Sequence, residues 1–153
     1  MKGCIIAFVG LSLLLPTVVV AQAKLIIPAN HYRAQELIRA KVENTGSRPL
    51  TYCVEIGQTS TKGDDTESTP SPFWVQSDGN GKWGILMIGP DVGSLRVVQV
   101  LQPGKSDEFP FRLNGHGKMR LRLEYWSGDR PKLDCKTPPK GSKLLTSAVF
   151  IIE

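Results

Sequence analysis

Apolar and charged residues alternate over residues 117–126, and this is the clearest periodic pattern in the chain. The apolar positions are Met119, Leu121, Leu123 and Tyr125, and charged residues separate them. A period of two residues is typical of a β-strand that turns one face to a core and the other to water. We therefore predict that residues 117–126 form the central strand of the fold.

Shorter runs of apolar and β-branched residues recur along the rest of the chain, separated by turns of Gly, Pro, Asn and Asp. We predict further strands at 24–28, 36–44, 50–57, 73–76, 83–88, 95–101, 107–113 and 143–152. Residues 34–42 are also compatible with a helix, but their apolar residues alternate, which favours a strand.

The turns between these strands predict two pairings and a fold class. We expect 36–44 and 50–57 to form an antiparallel pair, and 73–76 and 83–88 to form a hairpin around an Asp-Gly and Asn-Gly turn. Closely spaced turns without a convincing helix are typical of an antiparallel β-sandwich. The sequence therefore predicts an all-β sandwich of about seven to nine strands.

The N-terminal residues differ from the rest in composition. Met1-Lys2 gives a positive start, an almost wholly apolar stretch follows, and Ala21-Gln22-Ala23 has the small-x-small form that signal peptidase reads. We expect residues 1–23 to be a signal peptide cleaved after Ala23, and residues 24–153 to be one domain that is periplasmic or secreted. The alternative is a retained membrane anchor, because the apolar stretch is nearly long enough to span a bilayer. Pro16 interrupts it, so we expect no stable membrane span after cleavage.

Cysteine usage predicts a crosslink. Of the three cysteines, Cys4 lies in the expected signal peptide, which leaves Cys53 and Cys135 as a pair in an exported chain. Closing a loop of about 80 residues stabilises the fold by about 4 kcal/mol in the chain-entropy model. A metal site with two thiolates is the alternative, but no histidine or third cysteine lies near either residue in the sequence.

The formal net charge is +5 at pH 7, and it falls by one when Lys2 is removed. The basic residues are spread along the chain, so they indicate either an anionic partner or an ordinary soluble surface. Export argues against nucleic acid, and we expect none to be bound. Residues 58–72 are rich in Ser, Thr, Asp and Pro, and we expect them to form a long exposed loop.

Several turn signatures together resemble those of a known family. Four stretches resemble the corresponding ones in bacterial immunoglobulin-like sandwiches. They are Val-Glu-Asn-Thr-Gly at 42–46 followed by Pro49-Leu50, Leu-Gln-Pro-Gly at 101–104, Phe-Pro-Phe at 109–111, and Arg120-Leu121 after a glycine turn. The likeness is to exported single-domain proteins of that kind, and more remotely to the intracellular proteinase inhibitor domain. It implies an immunoglobulin-like β-sandwich and carries over no catalytic residue.

Aromatic and basic side chains are the candidate binding groups. Trp74 and Trp83 border the predicted hairpin, and exposed indoles stack on sugars or anchor protein partners. The wider aromatic group is Tyr52, Trp74, Trp83, Tyr125 and Trp126. A basic stripe suited to an anionic ligand would comprise Arg112, Lys118, Arg120 and Arg122. The alternatives are a core role for the aromatic residues and a solvated strand face for the basic ones.

Catalytic and metal-binding patterns are weak. His31 and His116 are the only histidines, and neither belongs to a G-x-S-x-G or H-E-x-x-H motif. Asp64, Asp65 and Glu67 supply the hard oxygen ligands that calcium prefers, but they lack the EF-hand spacing. We expect no catalytic residue, no metal and no cofactor.

These observations favour an exported, non-enzymatic binding or interaction module that acts as a monomer on an unknown protein or glycan. The first alternative is a protease inhibitor that presents an exposed loop, either 58–72 or the loop that carries Cys135. A small hydrolase is the second alternative.

Overall fold

A computed structural model describes residues 22–56, 71–86, 95–137 and 139–153. This part of the chain contains eleven strands and no helix. The strands are β1 (Ala23–Ile26), β2 (His31–Tyr32), β3 (Ile38–Asn44), β4 (Leu50–Ile56), β5 (Phe73–Gly79), β6 (Lys82–Leu86), β7 (Leu95–Leu101), β8 (Ser106–Phe111), β9 (Gly117–Ser127), β10 (Lys143–Thr146) and β11 (Phe150–Ile152). Most of the predicted loop at 58–72 lies outside the described residues.

The strands form two packed sheets. The smaller sheet has the order β1-β3-β8, and the larger has the order β2-β11-β9-β4-β7, with the β5–β6 hairpin and β10 attached at β9. In immunoglobulin notation β1, β3 and β8 correspond to strands A, B and E. In the larger sheet β11, β9, β4 and β7 correspond to strands G, F, C and C′. Buried apolar side chains from both sheets meet between them. The predicted all-β, immunoglobulin-like sandwich is therefore confirmed.

β9 is the central strand, as its alternation predicts. One of its edges pairs with β10 and β11, and the other pairs with β4 and β5. Met119, Leu121, Leu123 and Tyr125 are buried between the two sheets. Because side chains alternate along a strand, the charged residues between them project from the outer side of the larger sheet.

The predicted pairing of 36–44 with 50–57 is wrong. β3 pairs with β1 and β8 in the smaller sheet, whereas β4 pairs with β7 and β9 in the larger one. The connection crosses between the sheets, and the buried Asn44 amide holds it by donating to the carbonyl oxygens of Arg48 (2.8 Å) and Leu101 (2.9 Å). A turn of this composition joins two strands without deciding whether they share a sheet.

The predicted hairpin is confirmed, and the last predicted strand is divided. β5 and β6 pair across a two-residue turn, Asn80-Gly81, whose residues have φ of 56° and 81°. At 143–152, Ser147 separates β10 from β11 by exchanging hydrogen bonds with the backbone N–H and carbonyl of Leu121. One extra residue opposite β9 forms a bulge there. This division, together with the short β2, raises the number of strands above the prediction.

The predicted disulfide is confirmed. Cys53 on β4 is bonded to Cys135 in the segment after β9, and their Cα atoms are 5.7 Å apart. Cys135 and Trp126 belong to a small buried cluster on the outer side of the larger sheet. The Trp126 indole N–H also donates to the Pro139 carbonyl (3.1 Å). We call residues 128–137 and 139–142 the cap, because the crosslink holds them over one half of this outer side.

Tyr52 and Asp107 connect the two sheets through the core. The Tyr52 hydroxyl on β4 donates to the Asp107 carboxylate on β8 (2.5 Å), which also accepts a bond from the Gln99 amide (3.3 Å). Burial, and then the hydrogen bond to Asp107, raise the pKa of the Tyr52 phenol well above its usual value. Tyr52 is fully buried, so it serves the fold and is not accessible to a ligand.

Candidate functional site

The tertiary structure brings the four predicted binding residues together on one surface. Trp74 on β5 lies opposite Arg122 on β9, and Gln76 lies opposite Arg120. Trp83 on β6 joins them across the hairpin. All of them project from the outer side of the larger sheet, because their strand neighbours Val75 and Leu121 and the other inward residues fill the core. We call this surface the open face and define it by Trp74, Gln76, Trp83, Ile85, Arg120, Arg122 and Leu144.

Arg120 is held in one orientation at the centre of the open face. Its guanidinium carbon lies 4.1 Å from the ring centroid of Trp83, a distance at which a cation is attracted to the face of an indole. Its Nε donates to the Gln76 side-chain oxygen (2.9 Å), and Gln76 is only 5% exposed. Within the described residues the two terminal nitrogens of Arg120 carry no hydrogen bond. Arg120 therefore presents an oriented pair of donors to an incoming acceptor.

Three large apolar side chains on the same side of the sheet are open to solvent. Trp74 is 45% exposed, Ile85 on β6 is 65% exposed, and Leu144 on β10 is 46% exposed. They lie on β6, β5 and β10, and β9 with its two arginines runs between β5 and β10. Sequence reasoning missed Ile85 and Leu144, although alternation along their strands was the signal that could have placed them on the outer side.

The rest of the outer side is covered. The cap lies over the part of the larger sheet formed by β4, β7 and the end of β9, where it buries Trp126, Leu133 and Cys135. Trp126 thus has the core role that was the alternative reading of the aromatic group. The large sheet consequently has a closed half under the cap and an open half around Arg120.

The predicted basic stripe is only partly formed. Arg120 and Arg122 lie on the open face, with Lys118 further along the same strand. Arg112 does not belong with them: it follows β8 of the smaller sheet and donates to the Gln35 carbonyl (2.5 Å). The prediction for Arg112 is wrong because the strand that it follows belongs to the other sheet.

The arginines of the open face differ from the paired charges elsewhere. Ion pairs in the described residues are Arg39–Glu108, Lys41–Glu43 and Arg96–Glu55. Neither Arg120 nor Arg122 forms one with a described residue. Both are half-buried in the strand surface, so their stems are partly desolvated while their charges lack a partner within the described ranges.

The predicted chemical groups outside this surface do not form a site. His31 and His116 are exposed, and among described side chains His31 forms a hydrogen bond only with the Asn30 side-chain oxygen (3.1 Å). The described residues contain no cluster of three or more potential metal ligands. The acidic residues of the calcium hypothesis, Asp64, Asp65 and Glu67, lie outside the described residues. Over the described ranges no helix is long and apolar enough to cross a membrane.

Of the two loops in the inhibitor hypothesis, the structure describes only the one that carries Cys135. Residues 58–70 lie outside the described part of the chain. The loop that carries Cys135 is the cap, whose Leu133 and Cys135 are buried and whose Asp134 accepts hydrogen bonds from Lys136 and Thr137. The hydrogen bond from the Thr137 side chain, and then that from the Lys136 backbone, lower the pKa of the Asp134 carboxyl. The cap is therefore braced internally, and protease inhibition by either loop stays a prediction.

Comparison with known proteins assigns no family. No protein-family model matches the chain, and no curated protein matches it. Among solved structures it is similar to the sporulation control protein Spo0M of Bacillus subtilis, at 14% identity and a TM-score of 0.36, over 88% of this chain and 50% of that one. It is also similar to the ASH/PapD-like domain 7 of human CEP192, at 13% identity and a TM-score of 0.25, over 92% and 96% of the two chains. The chain thus spans half the length of the first of these, and neither likeness carries an argument about function.

Proposed function

We propose that this protein is an exported, non-enzymatic module of the bacterial immunoglobulin-like type that binds another protein through the open face. The observation that carries the proposal is the exposure of Trp74, Ile85 and Leu144 on the same side of the sheet as the oriented Arg120. Aromatic residues and arginine are enriched at the energetic centres of protein interfaces. The module acts as a monomer in the periplasm or outside the cell, and the disulfide suits such an oxidising compartment.

The composition of the open face favours a protein partner over a glycan. Sugar sites combine a flat aromatic ring with polar side chains that bond the hydroxyl groups. Here Ile85 and Leu144 offer branched aliphatic surface on either side of Trp74, which gains free energy mainly by covering apolar side chains of a partner. A polypeptide supplies such side chains, whereas a sugar supplies few.

The two arginines of the open face favour carboxylates in that partner. Arg120 offers two oriented terminal nitrogens, and Arg122 is unpaired among the described residues. Guanidinium groups bind carboxylates through paired, charge-assisted hydrogen bonds. We therefore infer that the contact segment of the partner places Asp or Glu beside apolar residues.

The proposal predicts that Trp74→Ala weakens binding about thirtyfold, because a central aromatic anchor contributes about 2 kcal/mol or more. To find the partner, a photo-reactive amino acid is placed at Ile85 of the exported protein and crosslinked within the native envelope fraction. The crosslinked protein is then purified, and its affinity for each variant is measured by calorimetry.

A matched position on another surface controls this experiment. Leu95 is 59% exposed at the start of β7, away from the open face, so crosslinking from it should not yield the same protein, and Leu95→Ala should bind normally. The crosslinked peptide should contain Asp or Glu, and Arg120→Lys should weaken its binding. Equal capture from both positions would refute the open face as the site, and capture of a second copy of this chain would refute the monomeric form of the proposal.

A further inference from the structure

Gln22 is built into the fold although it lies within the expected signal peptide. Its backbone carbonyl accepts hydrogen bonds from the N–H groups of Thr45 (3.1 Å) and Gly46 (3.2 Å). Its side-chain amide donates to the Ser127 hydroxyl (2.8 Å), at the far end of β9. Gln22 therefore ties the start of the smaller sheet to the central strand of the larger one.

The neighbouring turn closely accommodates this residue. A methyl group at Gly46 would lie 2.6 Å from Cγ of Gln22 and 3.3 Å from its Cα, so a side chain there would force Gln22 to shift. Glycine at this position lets the chain after β3 approach Gln22 closely enough for its N–H to reach the Gln22 carbonyl.

Ala23 is likewise a structural residue. It is the first residue of β1, pairs with Asn44 of β3, and is only 3% exposed. Cleavage after Ala23 would remove this buried methyl group, one position of the β1–β3 pairing and all the hydrogen bonds of Gln22. A positively charged amino terminus would then begin at Lys24, inside the strand.

We propose that signal peptidase hydrolyses the Ala21–Gln22 bond, so that the mature protein begins at Gln22. Water adds across this bond, giving a carboxylate on Ala21 and an amine on Gln22. Ala21 is the small residue before the bond, and Val19 occupies the other recognition position. The inference rests on the export part of the proposed function, and it moves the expected cleavage two residues toward the N-terminus.

The test is the N-terminal identity of the exported protein. The full-length precursor is expressed in a bacterial host that exports it, and the processed form is analysed by intact mass and N-terminal peptide sequencing. We expect the first residue of the processed protein to be Gln22. A start at Lys24 would overturn the proposal.

Two variants of the precursor sharpen the result. Ala21→Arg should abolish the form that begins at Gln22, whereas Ala23→Val should be processed like the wild type, because Ala23 then lies beyond the bond. Blocked processing of Ala23→Val would overturn the proposal. An unprocessed wild-type precursor would overturn it together with export, while the crosslinking test at Ile85 would still decide the function of the open face.

Discussion

Replacing both cysteines, Cys53→Ser with Cys135→Ser, is expected to lower the free energy of unfolding by about 4 kcal/mol. The disulfide joins residues 82 positions apart, so its removal releases a large loop in the unfolded chain. It also frees the cap from Trp126, which the cap now buries. Urea unfolding followed by circular dichroism measures the loss, and a red shift of tryptophan fluorescence reports the exposure of Trp126.

Reduction of the wild-type protein provides the control for that variant. Dithiothreitol should reproduce both the loss of stability and the fluorescence shift, because it breaks the same bond without changing a side chain. The open face should keep its affinity for the partner, since Arg120 and Trp83 are held by β5, β6 and β9 and not by the cap. A loss of stability below about 1 kcal/mol would show that the crosslink contributes much less than the chain-entropy model requires.

Truncating a leucine should change the free energy of unfolding by very different amounts on the two sides of the larger sheet. Leu121 on β9 is completely buried, whereas Leu144 on β10 is 46% exposed. Leu121→Ala should lower the free energy of unfolding by about 2–5 kcal/mol, because it removes apolar contacts and leaves a cavity. Leu144→Ala should change it by about 0.5 kcal/mol or less. Urea unfolding of the two variants under the same conditions makes the comparison.

The same pair separates stability from function. Leu144→Ala should weaken binding of the crosslinked partner, since Leu144 belongs to the open face, while the folded protein stays intact. Similar destabilisation by both substitutions would mean that Leu144 is covered in the native protein. Leu144 would then not belong to the open face.

The division of the larger sheet explains why one surface is available for binding. An outer sheet surface with several large apolar residues normally needs a cover. The cap covers Trp126 and Leu133, and the disulfide fixes it there. Trp74, Ile85 and Leu144 have no such cover from the described residues, and Arg120 among them is already oriented by Gln76 and Trp83. We infer that a partner protein completes this half of the surface.

Much of the architecture follows from local patterns in the chain. The alternation at 117–126 correctly assigns Leu121 and its apolar neighbours to the core, because a strand presents every second side chain to the same face. The Asn80-Gly81 turn follows from the backbone conformation that a two-residue hairpin requires. The pairing of Cys53 with Cys135 follows from counting the cysteines that remain when the expected signal peptide is set aside.

Relations between distant strands depended on the tertiary structure. The alternation of β9 places Arg120 on an outer surface. Only the β5–β6 hairpin brings the Trp83 ring and the Gln76 side chain into contact with Arg120. Arg112 looked equivalent to Arg120 in the sequence, but it follows β8, which pairs with β3 in the other sheet. A period of two residues distinguishes the two faces of a strand. It does not say which strands become neighbours or which outer face the cap covers, because long-range pairing and the Cys53–Cys135 bond decide both.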